Sequence, residues 1–296
     1  MAFNLQTFKT RALTAVIFAA VMLAGLFWNH WSFFILFSVI HFGCWWEYLR
    51  LIEKIKRINF HPYTRLGFML IGYSLMLWFC SPEYRIGEYA IKDNFLLPVS
   101  AVGFVLLIIG IFQRNPVTLK TFGLAAIGVL YISLSCGLMI DLYGQPDIHV
   151  HDTMYVLAEY FLPVVIIVAI WINDTMAYIV GSLIGKTPLS SISPKKTWEG
   201  TIGGILLSIG VVGLISYYAL DLGKLTVHLV VIAVIASITG TFGDLLESKL
   251  KRMAGVKDSG RMMPGHGGFL DRFDSLLIAI PAVWVYVYFF MERSSA

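Results

Sequence analysis

Near the end of the chain, "VKDSGRMMPGHGGFLDRFDSLL" (Val256 to Leu277) gathers three aspartates, two arginines, a lysine, a histidine and four glycines. Asp271 and Asp274 stand three apart at the start of an apolar run. On a helix that spacing projects both carboxylates to one side, where they repel each other unless a cation lies between them. Mg²⁺ suits such a place: it takes oxygen ligands, few of them from protein, and completes its shell with water and substrate phosphates. Helix capping by Asp271 is the structural alternative. Lys257, Arg261 and Arg272 flank the pair, and "PGHGG" (Pro264 to Gly268, with Gly265, His266 and Gly267) precedes it. Such a turn points backbone N–H groups at an anion, and the following helix adds the positive end of its dipole.

Three further groupings share this character. Asp244, Glu247, Ser248 and Lys251 are offset by 0, 3, 4 and 7 residues, which places them on one helix face. A solvated helix end would look similar, but Asp244 follows "GTFG", where backbones can approach closely. Asp174 lies well inside an apolar run, roughly 15 Å from its end at about 1.5 Å per residue. A carboxylate at that depth costs at least ~2.5 kcal/mol and should face a watery cavity or a cation, or else be held by a neighbouring helix. Lys195, Lys196, Thr197 and Glu199 lie in "SPKKTWEG". A lysine pair beside a membrane often marks topology or touches lipid headgroups. Beside acidic metal ligands and a glycine loop, it reads as part of a site for phosphoryl or nucleotidyl transfer, where positioning and charge neutralisation do most of the work.

These residues are set in a chain that is mostly oil. It has 296 residues, 58% hydrophobic and 14% charged, with 21 Phe, 14 Tyr and 8 Trp, and a mean hydropathy of +0.77. That composition excludes a soluble globular domain. The expected fold class is all-α: a polytopic integral membrane protein with about nine transmembrane helices, each needing roughly 20 residues. The apolar stretches are Ala12 to Trp28, Trp31 to Leu49, Leu66 to Cys80, Phe95 to Phe112, Phe122 to Leu142, Tyr160 to Ile184, Thr201 to Leu220, Thr226 to Leu245 and Phe273 to Met291. They are continuously apolar, which excludes the period-two pattern of a barrel. Glycines such as Gly123, Gly128, Gly203 and Gly213 are expected at close helix contacts. Cys44, Cys80 and Cys136 fall one per apolar run, with neither metal nor disulfide spacing. Lys9 and Arg11 precede the first run, and "WNHW" follows it in place of a small-residue cleavage site, so a retained first span is expected.

With the N-terminus cytosolic, all but four of the 22 Lys and Arg residues fall on the inner side, the exceptions being Arg85, Lys92, Lys224 and Arg293. That bias orients the chain and brings all the polar stretches to the cytosolic face. The expected organisation is one multi-spanning domain, with helices of about residues 1–145 as scaffold and about 160–291 supplying catalytic helices and cytosolic loops.

The polar residues resemble a known family, the phosphatidate cytidylyltransferases or CDP-diacylglycerol synthases. Its pattern is S-x-apolar-K-R, four residues, K-D, five residues, P or G, x, H-G-G, apolar, x, D-R, x, D. This chain has Ser248, Lys251, Arg252, Lys257, Asp258, Pro264, His266, Gly267, Gly268, Asp271, Arg272 and Asp274 at those places. Met263 stands where the family more often has Leu, Ile or Phe. Two further blocks also match: Asp174, Thr175, Ala177 and Tyr178 with Gly181 and Gly185, and Ser193 through Thr197 with Glu199 and Gly200. The resemblance covers about Asp174 to Ser275; the first five spans match only in hydropathy.

The resemblance implies that CTP and phosphatidic acid give CDP-diacylglycerol and pyrophosphate with Mg²⁺ as cofactor. Asp244 and Asp271, with Asp274 and a second cation as an extension, are the implied metal ligands. Asp174, Lys196, Lys251, Arg252, Lys257, Asp258, His266, Arg272 and Asp274 are the implied catalytic set, and Ser193, Lys195, Thr197, Glu199, Ser248, Arg261, Gly265, Gly267 and Gly268 the substrate-binding set. The expected partners are CTP, phosphatidic acid and membrane lipid, with a homodimer as an option and no nucleic acid. The expected place is a cell inner membrane, with the site on its cytosolic side. Alternatives from other chemistry are a CTP-dependent lipid kinase, a cytidylyltransferase of another lipid phosphate, or an anionic-solute transporter, although no inverted repeat favours the last.

Overall fold

The computed structural model describes residues 5–112, 117–144, 147–150, 153–260 and 267–293. The helices are α1 (Leu5–Phe27), α2 (His30–Lys56), α3 (Pro62–Trp78), α4 (Ile91–Ile111), α5 (Leu119–Gly128), α6 (Ser135–Leu142), α7 (Phe161–Ile184), α8 (Trp198–Leu214), α9 (Leu225–Met253) and α10 (Leu270–Phe290). A π-helical segment, Val129–Leu134, joins α5 to α6, and another, Ile215–Ala219, extends α8. Among the described residues the helices therefore form nine rods, each overlapping one of the nine apolar stretches.

Seven of these rods are long and apolar enough to cross a bilayer: α2, α4, α5 through α6, α7, α8 with its extension, α9 and α10. By length and composition of the described residues, seven spans are supported and the other two of the expected nine are not confirmed. In α1 the stretch Leu13–Phe27 is apolar among the described residues, and α3 has 17 residues, a rise of roughly 26 Å against a core of about 30 Å. Two small antiparallel sheets accompany the helices. Arg85–Ile86 and Tyr89–Ala90 form a hairpin turning at Gly87, and Thr153–Val156, Asp147–Val150 and Glu292–Arg293 lie side by side in that order. Strands of two to four residues carry no readable alternation, which is why the sequence did not reveal them.

The chain divides into two compact units. The first comprises Met1–Ile140 and Leu250–Phe273, the second Asp141–Lys249 and Asp274–Ala296. Residues Leu250–Phe273 pack with the first of these units.

In the first unit, α2 is the central rod. Asn29 caps it with a capping box: its side chain accepts the Ser32 amide at 2.8 Å, and Ser32 Oγ accepts the Asn29 amide at 3.1 Å. Phe33, Phe37, Ile40, Cys44, Trp45, Leu49 and Ile52 are buried along it. Ser133, in the first π-helical segment, binds Trp45 Nε1 at 2.8 Å and His41 Nε2 at 2.9 Å. These bonds satisfy polar groups that would be costly to leave alone in an apolar core.

In the second unit, α7 and α8 pack through glycines. A Cβ on Gly204 would lie 2.6 Å from the Asn173 carbonyl, and one on Gly200 would lie 2.6 Å from that of Ala177. Only glycine permits this approach, and it fixes the α7 turn that carries Asp174. Ser208 Oγ donates to the Ala169 carbonyl at 2.9 Å across the same pair. Gly243 of α9 leaves room for the backbone of Asp274 on α10. Of the four glycines expected at contacts, Gly128 meets Trp45 and Tyr48, Gly203 meets Val180 and Gly213 meets Val230; Gly123 has nothing within 4 Å.

Candidate active site

In the second unit a cavity of about 630 Å³ is lined by α7, α9 and the segment leading into α8. Its polar wall includes Asp174, Tyr178 and Ser182 from α7, Ser193, Lys195, Lys196 and Thr197 from the loop, Thr201 from α8, and Thr241 and Asp244 from α9. Asp174 is exposed and lies on its wall. The buried Asn173 donates through Nδ2 to Asp174 Oδ1 at 3.3 Å.

The loop before α8 is held in shape by its own bonds. Thr197 caps α8 by accepting the Gly200 amide at 3.1 Å. The Leu189 amide donates to the Lys196 carbonyl at 2.7 Å, and the Lys196 amide to the Ser193 carbonyl at 3.0 Å. Glu199 accepts the amides of Lys186 and Thr187 at 3.2 Å each. It does not line the cavity, so the described contacts give this candidate substrate-binding residue a loop-bracing task.

With the backbone so fixed, the Lys196 ammonium pairs with Asp244 Oδ2, and Ser248 Oγ donates to Asp244 Oδ1 at 3.2 Å. Asp274 is buried, its Oδ1 accepts the Ser275 amide at 2.7 Å, and it lies in electrostatic range of Asp244, Asp174 and Lys196. Three carboxylates thus share the field of one lysine, an imbalance that favours a cation. Among the described residues no three of His, Cys, Asp and Glu are close enough to chelate an ion unaided. One or two carboxylates beside open space nevertheless fit Mg²⁺, which takes its remaining oxygens from water and phosphate.

In the first unit, Asp271 is the centre of the polar stretch. Its Oδ1 accepts from Lys251 Nζ at 2.7 Å, and its Oδ2 from the Ser259 amide at 2.9 Å, Ser259 Oγ at 2.9 Å and the Gly268 amide at 2.7 Å. Gly267 turns with φ of +87°, and a Cβ there would lie 2.6 Å from Asp271 Oδ2. Asp271 sits in the first turn of α10 and bonds back into the preceding loop, so it is not the helix cap considered above. Arg252, Lys257, Asp258 and Arg272 are exposed around this centre. Asp271 and Asp274, expected to share one cation, have different bonding partners. Arg261, Gly265 and His266 lie outside the described residues.

The sequence reading passed over Ser182, Thr201 and Thr241 in the cavity wall, and Ser259 and Glu47 around Asp271; Tyr178 it named only within a matching block. Glu47 carried a signal: like Asp174, it is an acidic residue within a candidate span, here in "HFGCWWEYLR".

Fold and site define a multi-pass helical membrane protein with a carboxylate-lined cavity in one unit and, in the other, Asp271 bonded by Lys251, Ser259 and Gly268. Residues 9–290 match the model of the cytidylyltransferase family. The chain belongs to that family. It is similar to the phosphatidate cytidylyltransferase of Bacillus subtilis, with 33% identity over 278 residues, covering 93% of this chain and 96% of that one. The phosphatidate cytidylyltransferase of Staphylococcus haemolyticus is 31% identical over 274 residues, 92% of this chain and 96% of its own. That of Staphylococcus saprophyticus is 36% identical over 192 residues, 64% of this chain and 68% of its own.

Proposed function

We propose that the chain is a nucleotidyltransferase that transfers the cytidylyl group of CTP to phosphatidic acid, giving CDP-diacylglycerol and pyrophosphate for phospholipid synthesis. The observation that carries this reading is the match to phosphatidate cytidylyltransferases over more than nine-tenths of the chain. A phosphate oxygen of phosphatidic acid forms a bond to the α-phosphorus of CTP, and the bond from that phosphorus to the bridging oxygen breaks, its electron pair leaving with pyrophosphate. The second ionisation of a phosphate monoester falls near pH 6, so the nucleophile is largely deprotonated already and needs no strong base. What opposes the reaction is charge repulsion between two anions.

Lys195 and Lys196 are placed on the cavity wall to neutralise and orient phosphate, and Thr197 fixes the turn that presents them. Lys251, held by Asp271, and the exposed Arg252, Lys257 and Arg272 offer cations for the pyrophosphate and the lipid phosphate. Asp244 and Asp274 are the residues best suited to hold Mg²⁺, and Asp271 Oδ1 keeps a lone pair beyond Lys251 for a cation. When bound, Mg²⁺ would neutralise triphosphate charge and polarise the α-phosphorus. Asp174, part-way along α7, adds a carboxylate to the cavity wall.

Incubating the purified chain with phosphatidic acid, Mg²⁺ and CTP labelled at either the α- or the γ-phosphate tests the reaction. Label should enter lipid from the α-position only. Transfer from the γ-position would make it a lipid kinase, and no transfer from either would refute the reading.

The distribution of Lys and Arg supports an inner-membrane chain with a cytosolic N-terminus and site. A cysteine at the exposed Glu88 should then react with an impermeant maleimide added to intact cells, and one at the exposed Ser191 only after lysis. The three native cysteines are buried and give little background. The opposite labelling pattern would invert the topology.

A further inference from the structure

Glu47 lies in α2, outside the motif blocks from Asp174 to Ser275 but within the stretch that matches the family, and it is 4% exposed. Its Oε2 accepts from Ser259 Oγ at 2.7 Å and from the amide of Leu270, the first residue of α10, at 2.9 Å. Ser259 Oγ also lies 2.9 Å from Asp271 Oδ2, so one hydroxyl bridges the two carboxyl groups.

The fit extends to shape. A side chain on Gly260 or Gly268 would collide with the Glu47 carboxyl group. One turn earlier on α2, a side chain on Gly43 would collide with the ring of Phe269. A glycine on α2 thus receives the loop's aromatic ring, and two glycines of the loop receive the carboxylate of α2. Glu53, further along the same helix, is equally buried but accepts from Arg65 and the Phe60 amide, and no described bond ties it to the loop.

The geometry points to Glu47 as a positioning residue for the proposed cytidylyl transfer: it holds Ser259 and the first turn of α10, and through them sets Asp271 and the Lys251 ammonium. This inference rests on the function proposed above. Glu47 touches no reacting atom in it. This buried acceptor is costly to remove, because the Leu270 amide then loses its described acceptor and Ser259 Oγ keeps only Asp271.

The test compares Glu47→Gln, which keeps an acceptor oxygen, with Glu47→Met, which keeps the bulk and no strong acceptor, and with Glu53→Gln. Two quantities are measured on the purified, monodisperse chain: kcat and KM for CTP, and hydrogen exchange of the Ser259 and Leu270 amides. Glu47→Met should lower kcat at least tenfold per folded molecule and speed exchange of both amides by a similar factor. Glu47→Gln should stay within about threefold of the parent on both. Glu53→Gln should lower thermal stability but leave kcat unchanged. Parental kcat and exchange in Glu47→Met, or the same kcat loss in Glu53→Gln, would overturn the assignment. Should Glu47→Met not fold, Ser259→Ala decides: a several-fold loss of kcat with faster Leu270 exchange supports it, and parental values for both overturn it. If the parent makes no CDP-diacylglycerol, the functional reading fails, yet exchange still tests whether Glu47 holds the loop.

Discussion

Asp271→Asn is expected to lose thermal stability and turnover together. Asp271 receives hydrogen bonds from Lys251 Nζ, the Ser259 amide and the Gly268 amide, with the Ser259 hydroxyl it shares with Glu47 also in reach, and its side chain is 9% exposed. Every one of these partners is a donor. Asparagine offers one oxygen and one NH₂, so in either orientation it turns donors toward donors. One orientation leaves the Lys251 ammonium, only 15% exposed, facing an amide; the other opposes the Ser259 and Gly268 amides. Removing one carboxylate from a buried, hydrogen-bonded pair is destabilising, because buried donors then face a donor. The unfolding midpoint in detergent should therefore fall well below that of the parent, and the folded remainder should turn over at least about a hundredfold more slowly, the size of effect seen when a preorganised electrostatic contact is lost. From the sequence alone the opposite stability outcome follows, since asparagine caps a helix start as aspartate does. Unchanged stability with a raised Mg²⁺ requirement would return Asp271 to the purely metal-binding role that the sequence suggested.

That reversal shows what was legible and what was not. Nine apolar runs could be read because a bilayer span is a local property, written in about 20 consecutive residues. Asp174 could be read for the same reason: a carboxylate within an apolar run stands out without knowledge of its neighbours. The chemistry of the polar stretches was legible through residue type and spacing. The partners of those residues were not, because they depend on packing between distant segments. Glu47 and Ser259 are separated by 212 positions, and Lys251 and Asp271 by 20. Nor could spacing tell that Glu199 braces the amides of Lys186 and Thr187, or that Asp271 and Asp274, three apart, have different partners. Glycine shows the same limit. Gly123 and Gly128 look alike in sequence, and only the second lies against a neighbour, Trp45.

Asp244→Asn makes the same chemical change with the opposite effect on stability. Asp244 has two described partners, Lys196 on Oδ2 and Ser248 Oγ on Oδ1, and its side chain is 28% exposed on the wall of an open cavity. Asn keeps an oxygen for the Ser248 hydroxyl, and Lys196, itself 29% exposed, can be solvated once its partner is neutral. A part-exposed pair of this kind adds little to stability, so expression and unfolding midpoint should match the parent. Function depends on charge here. Asp174, Asp244 and Asp274 act on one another within the field of Lys196, and removing one negative charge weakens the attraction for a divalent cation. Turnover should fall by about two orders of magnitude or more, and half-activation should require a higher Mg²⁺ concentration. Lys196→Met should also slow turnover but leave the Mg²⁺ requirement at or below the parental value, because it removes a competing cation. In the double variant the two losses should not add, since each single change already breaks the same pair. The measurement is a Mg²⁺ titration of CDP-diacylglycerol formation for the parent, both single variants and the double. If Asp244→Asn kept parental turnover and the same Mg²⁺ half-activation point, the carboxylate would be no more than a counter-ion for Lys196, and the proposed metal site in this cavity would be wrong.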